Sequence, residues 1–252
     1  MKKILIGIII LCSLQMFGQK DTLNYTKEIL KKDISNLLTL TEFNYGVSEE
    51  IIKRAKPIGY IGNNYQRFQI QIISVIKNQD IPSKYFVYGK TKVKNNICEF
   101  QGNIIIENVK IFSDLEFPEV NQGIIKGKYK FFENINQKGS GVFNGVFETN
   151  FYIDKNGLIQ YNALMFSADG FYNNMFQGTW ISYKNGKSKK CNWGDYRIPD
   201  SGKLDIGVAE FGPNPDYNQF GWENYKNAHF SNGDKGENAK EIENRKWWIG
   251  EK

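Results

Sequence analysis

The chain carries one histidine, His229, and the cysteines that remain after its apolar leader are Cys98 and Cys191. Those counts limit its chemistry. A Ser-His-Asp or Cys-His nucleophilic site has to use His229, with Cys98 or Cys191 as nucleophile in the second case. No nucleophile elbow surrounds any serine or cysteine, and His229 lies in a polar stretch that reads as surface. A metal site built on several histidines is excluded by the same count, so no metal and no cofactor is expected. Carboxylates are the remaining catalytic material. Asp195, Asp200, Asp205, Glu210 and Asp216 cluster late in the chain, and a glycosidase needs only two acids across a cleft. Acids in a Gly/Pro-rich stretch are more often solvated turn residues. The expectation is therefore a protein that is not an enzyme. The run Asn232-Gly-Asp234-Lys-Gly236-Glu237 has acids near glycines, but not the ligand spacing of a calcium loop.

Aromatic residues are the other functional material. Of 252 residues, 15% are Phe, Tyr or Trp, side chains that suit sheets and bury large areas. Tyr161, Tyr172, Trp180 and Trp193 are the candidate ligand-contacting residues, with plain core packing as the competing role. Cys98 and Cys191 are read either as one disulfide, given an oxidising compartment, or as buried free thiols.

The elements that must position these side chains are strands. Phe100-Gln-Gly102-Asn-Ile104, Phe143-Asn-Gly145-Val-Phe147 and Phe176-Gln-Gly178-Thr-Trp180 repeat one pattern. Its period of two puts the rings and the glycine on one strand face. A repeated strand glycine either lets a facing ring lie over the backbone or leaves room for a ligand. The pattern resembles the opening of MORN-repeat hairpins over about five residues each time. Its starts lie 43 and 33 residues apart, too far for a tandem array of that unit, so the resemblance implies antiparallel hairpins only.

In order, residues 1–18 read as a signal peptide: Lys2 and Lys3, an apolar run from Ile4 to Leu14, then Phe17-Gly18-Gln19 as a cut site. Cys12 would carry a lipid only if the preceding Leu11 were accepted where a small residue is usual. Membrane attachment is expected only in that case. Residues 19–60 read as an N-terminal helical segment. A helix spans Asp21 to Leu40, with Thr26 or Asn24 as cap and Ile29, Leu30, Ile34, Leu37 and Leu38 in one stripe. A short helical turn is expected over Glu49 to Ala55. Residues 61–252 read as the β domain, with about eight to ten strands from 65 to 193 and an irregular wrap over 194–252 holding a short helix near Glu237 to Trp248. Asp154-Lys-Asn156-Gly157 and Asn185-Gly186 are hairpin turns. The fold class is thus mainly β: an antiparallel meander forming a barrel or strongly curved sheet.

Removing residues 1–18 takes two lysines and no acid, so 33 basic and 27 acidic side chains become 31 and 27, a net +4. The charges are interspersed rather than gathered, and no nucleic-acid partner is expected. The expected role is an exported binding module, periplasmic, outer-membrane-associated or extracellular. Its ligand is small and apolar or glycan-like, held by the barrel. The alternative is an envelope protein that works through protein-protein contact and holds no small ligand.

Overall fold

The computed structural model describes residues 22–46, 48, 50–113 and 117–250. The expected signal peptide with its cut site, and Cys12, lie outside the described residues. The chain opens with β1 (Thr22–Asn24), α1 (Thr26–Ile29), α2 (Ser35–Thr39) and a hairpin of β2 (Glu42–Asn44) and β3 (Ile51–Lys53). Seven longer strands and two short ones follow. They are β4 (Ile58–Ile61), β5 (Gln66–Lys77), β6 (Lys84–Val93), β7 (Asn96–Phe112), β8 (Asn121–Glu133), β9 (Gly141–Ile153), β10 (Ile159–Tyr161), β11 (Asn173–Ser182) and β12 (Ser188–Asp195). Two 3₁₀ turns (Gly202–Leu204 and Pro215–Phe220), α3 (Glu223–Phe230) and α4 (Gly233–Asn244) complete it.

Every rung between these strands is antiparallel. Following the rungs from β4 through β5, β6, β7, β8, β9, β11 and β12 returns to β4, so eight strands form a closed ring. The ring follows from alternation. In β8, Ile125, Tyr129, Phe131 and Glu133 face inward and are buried, while Lys126, Lys128, Lys130 and Phe132 face out. Among the described residues, no helix is long and apolar enough to cross a membrane.

The inside of the ring is filled by aromatic rings. Trp193 stacks on Phe176 at 4.9 Å and 10°, Phe176 stacks on Phe147 at 5.5 Å, and Tyr129 meets Trp193 edge-on at 5.1 Å. Phe68 and Phe143 complete the contact around Trp193. The recurrent glycines make this possible. Phe147 lies directly across from Gly127, and a methyl on that glycine would stand 2.7 Å from the ring. Gly145 of the second triplet faces Gly178 of the third, which leaves space for Tyr129 on β8. Of the two roles open to a strand glycine, these positions take the structural one.

The N-terminal segment is not one helix. Asn24 Oδ1 accepts the Thr26 N–H, but the chain breaks between Leu30 and Ile34. Lys77 of β5 donates to the Leu30 and Lys32 carbonyls, and Asp33 Oδ1 captures the Ser35 N–H and hydroxyl. Each of those contacts ends or starts a helix more firmly than the sequence stripe continues one. Ile29, Ile34, Leu37 and Leu38 of the stripe are nonetheless buried in the main core, with α2 against β5. The helical turn expected over Glu49 to Ala55 is instead β3. Gly46, at φ +58°, lets β2 fold back, and β-branched Ile51 and Ile52 favour the extended form. The C-terminal region is more helical than expected, with α3 and α4 packed on each other. Phe211 and Trp222 form a second core there with Tyr60 and Leu204.

Candidate functional site

The wall of the ring is incomplete on one side, and Pro57 is the cause. β4 pairs with β5 only from Gly59–Phe68 to Ile61–Gln66. Before Ile58 stands Pro57, which has no N–H to extend a ladder. β5 continues from Gln69 to Lys77 with β6 as its one strand neighbour. The opening beside it is closed by side chains, by α2 and by the end of α4 rather than by a strand.

On the inner side of that opening lies a buried polar network. Arg54 holds Asp195 through two hydrogen bonds, at 3.0 and 2.8 Å, and donates to the carbonyls of Leu38 and Leu40. Asp195, 1% exposed, also accepts from the Tyr161 hydroxyl at 3.0 Å and the Asn174 amide at 2.8 Å. Asn174 donates on to the Leu37 carbonyl. Burial pulls the Arg54 guanidinium down, but the Asp195 charge and hydrogen bonds outweigh it and raise it above its ordinary value. The network ties α2 to β11 and β12. Breaking such a buried pair by removing one partner is strongly destabilising.

The next residue, Tyr196, adopts φ +64°, a left-handed backbone that bulky residues rarely accept. Its hydroxyl accepts the Ala55 N–H at 3.2 Å, and its ring packs edge-on against Phe43, Phe166 and Phe171. Strain of this kind persists where surrounding structure imposes it, and such positions cluster at functional sites.

Outside Tyr196 lies a cleft of about 510 Å³. Phe166, Phe171 and Tyr196 line it together with Pro57, β5, Tyr225, Trp247 and Trp248. A companion cavity of about 500 Å³ shares Ala55, Lys56 and Pro57 with the cleft and is also lined by Trp193, Phe176 and the Arg54–Asp195 pair. Lys56 and Trp248 line both. The Lys56 ammonium donates to the carbonyls of Glu243 (2.5 Å) and Arg245 (2.7 Å) at the end of α4, and sits 5.1 Å from the centre of the Trp248 ring. Burial lowers its pKa to about 8. Arg67 makes a two-point pair with Glu243 at 2.7 and 2.5 Å, and lies 5.2 Å over Tyr225. Burial pushes the Glu243 carboxyl up, but Arg67 and the Asn224 amide hold it below its ordinary value. Two cations thus pin the C-terminal helix across the opening.

The four aromatics singled out in the sequence do not share one cavity. Trp193 is 1% exposed at the centre of the ring and lines only the deep end of the companion cavity. Trp180 lies at the far end, its indole N–H donated to Glu133 at 2.9 Å. Tyr161 is held by Asp195, and Tyr172 is 42% exposed on the surface. Cys98 and Cys191 are separate buried thiols. Burial pushes Cys98 up to about 11 and Cys191 well above its ordinary value, so neither is a ready nucleophile.

The late acids are mostly engaged. Asp200 pairs with Lys190; Asp205 pairs with Arg197 and accepts the N–H groups of Gly207 and Gly212. Asp216 opens a 3₁₀ turn, and Glu210 is exposed on the cleft rim. His229 stacks on Tyr225 at 4.0 Å and bonds its carbonyl. Among the described residues no group of three or more His, Cys, Asp or Glu side chains is placed to hold a metal. Phe166, Phe171, Tyr196 and Lys56 are the site residues that the sequence did not mark. Pro57 was the available signal, since a proline just before a strand predicts where its ladder stops.

No family model matches this chain, and neither a curated protein nor a solved structure does.

Proposed function

We propose that this chain is an exported, non-catalytic binding module, and that its ligand sits in the side cleft rather than inside the ring. The observation that carries the reading is the cleft of about 510 Å³ between Tyr196 and Trp248. Its volume falls in the range of small-molecule sites, and its walls combine ring faces with a few fixed polar groups. The eight strands act as a barrel whose interior is packed with its own side chains, so the barrel serves as scaffold. The ligand class is small and flat, apolar on its faces and polar at its edges, which includes sugars. The exposed rim carboxylate of Glu210 orients it, with the one N–H of Lys56 left over from its two carbonyl bonds. Export is supported by Lys2, Lys3 and the apolar run from Ile4 to Leu14.

The test is native mass spectrometry of the protein recovered from its own cells, compared with its denatured mass. A reproducible extra mass, absent from the Trp248→Ala variant, supports the cleft. A bare mass in both, with no tryptophan fluorescence change across a panel of mono- and disaccharides and lipids, rejects it. The denatured mass also reads export directly: a chain starting near Gln19 means that the leader was removed.

A further inference from the structure

The outer face of the ring carries aromatic side chains that its own core cannot use. Phe86 and Tyr88 on β6 are 46% and 39% exposed, and Phe132 on β8 is 39% exposed. They border a shallow depression of about 420 Å³. The register arranges them in two rows across three strands. One row reads Tyr88–Gln101–Phe132, the other Phe86–Asn103–Lys130. Each row therefore sets an amide between two larger side chains. Tyr88 and Phe132 are two strands apart, about 9–10 Å from strand spacing alone. On an extended sugar chain that separation matches a disaccharide unit, so the two rings would meet alternate sugars. Gln101 and Asn103 both line the depression, but the Asn103 Oδ1 is itself buried, so the exposed Gln101 is the amide open to a hydroxyl.

The charges choose among possible occupants. Lys90, Lys126 and Lys128 on the same face are each neutralised by a glutamate on a neighbouring strand: Glu99, Glu148 and Glu107. Lys84 and Lys130 have no carboxylate within ion-pair distance among the described residues. They lie instead 5.2 Å over the rings of Phe86 and Phe132. The two uncompensated ammonium groups thus flank the exposed rings.

We propose that this face binds an acidic polysaccharide, whose acid groups draw Lys84 and Lys130 off the rings they cover, whose sugar faces then lie on Tyr88 and Phe132, and whose hydroxyls meet Gln101. A polyhydroxylated chain uses the alternating rings and amides. The open, shallow shape lacks the enclosed pockets in which protein anchors bury. This site shares no lining residue with the cleft and does not depend on it.

The test is calorimetric titration of the whole protein with oligogalacturonate and oligomannuronate, at low and high salt. A neutral cello-oligosaccharide and poly-L-glutamate are the comparisons. The expected result is binding of an acidic oligosaccharide that weakens with salt. Lys84→Gln with Lys130→Gln should weaken it by about tenfold or more and flatten the salt dependence. Tyr88→Ala with Phe132→Ala should also weaken it by about tenfold or more. Both double variants should keep the parent unfolding temperature, and Trp248→Ala should bind as the parent does. Failure of both acidic oligosaccharides to bind overturns the proposal, as does unchanged binding by the double variants. Equal or tighter binding of poly-L-glutamate overturns it in favour of an acidic peptide, and salt-independent binding of the neutral sugar removes the lysines from the site.

Discussion

The Tyr129 hydroxyl lies directly over Gly178: a methyl built on that glycine would stand 2.5 Å from the Tyr129 oxygen and closer still to the Asn144 carbonyl. That hydroxyl is buried and has no hydrogen-bond partner among the described residues. Burial pushes its pKa well above the usual tyrosine value. An unpaired buried hydroxyl costs stability, whereas the ring itself contributes through Trp193, Phe131 and Phe176. Tyr129→Phe should therefore raise stability by about 1 kcal/mol, read as a higher urea midpoint at unchanged slope. A midpoint that drops would mean that the hydroxyl has a partner, such as a buried water. Gly178→Ala should act in the opposite direction, by about 2–3 kcal/mol, because its worst contact is backbone and cannot swing aside.

Removal of one half of the Arg54–Asp195 pair gives a second expectation. Both side chains are nearly out of solvent, at 9% and 1% exposure. Asp195→Asn keeps the shape and removes the charge, leaving a buried guanidinium uncompensated, at a cost of about 3–5 kcal/mol. Glu107→Gln removes the partner of Lys128 at the surface, where both side chains are well exposed, and should change stability by less than about 1 kcal/mol. Chemical denaturation of the two variants side by side checks the contrast. Equal effects would mean that the buried network is not what ties α2 to β11 and β12.

Particular residues show which parts of this were legible in the sequence. The alternation of Tyr129, Phe131 and Phe143, Phe147 announced strands, because a period of two is a local property of the chain. Asn156-Gly157 and Asn185-Gly186 marked hairpins, with both glycines at positive φ, because turn chemistry is local as well. The break at Leu30 was not legible. It depends on Lys77, a residue of β5 that reaches the helix only after folding. The cleft was hidden for the same reason: Phe171, Tyr196 and Trp248 are far apart in sequence, and nothing about each alone tells that they face one opening. Trp180 and Trp193 looked like ligand platforms because large exposed and large buried rings have the same letter in a sequence. Their burial is decided by Gly141 and Gly59 on the neighbouring strands.

The trapped acid at the other end of the ring gives a pH dependence whose sign can be worked out. Glu133 is 6% exposed, and it accepts hydrogen bonds from Thr91 (2.5 Å), Trp180 (2.9 Å) and the Gly141 N–H (2.8 Å). Burial raises its pKa, and those three bonds only partly offset the effect. A carboxyl whose folded pKa lies above its unfolded one holds its proton more tightly when folded. Its contribution is fully present below the ordinary value of about 4.5 and is lost as pH rises through the folded pKa. Glu133→Gln reproduces the protonated acid: its oxygen can accept from Trp180 and Gly141 while its amide donates to the Thr91 hydroxyl. The variant should match the parent near pH 4 and be the more stable of the two at pH 7, the gap opening between those limits. Urea midpoints for both proteins across that range measure it, and because every other titrating group is common to the two, their difference isolates Glu133. A constant difference across the range would mean that Glu133 titrates alike in the folded and unfolded chains. A parent that gains on the variant as pH rises would mean that the three donors overcome burial and hold the folded carboxyl ionised.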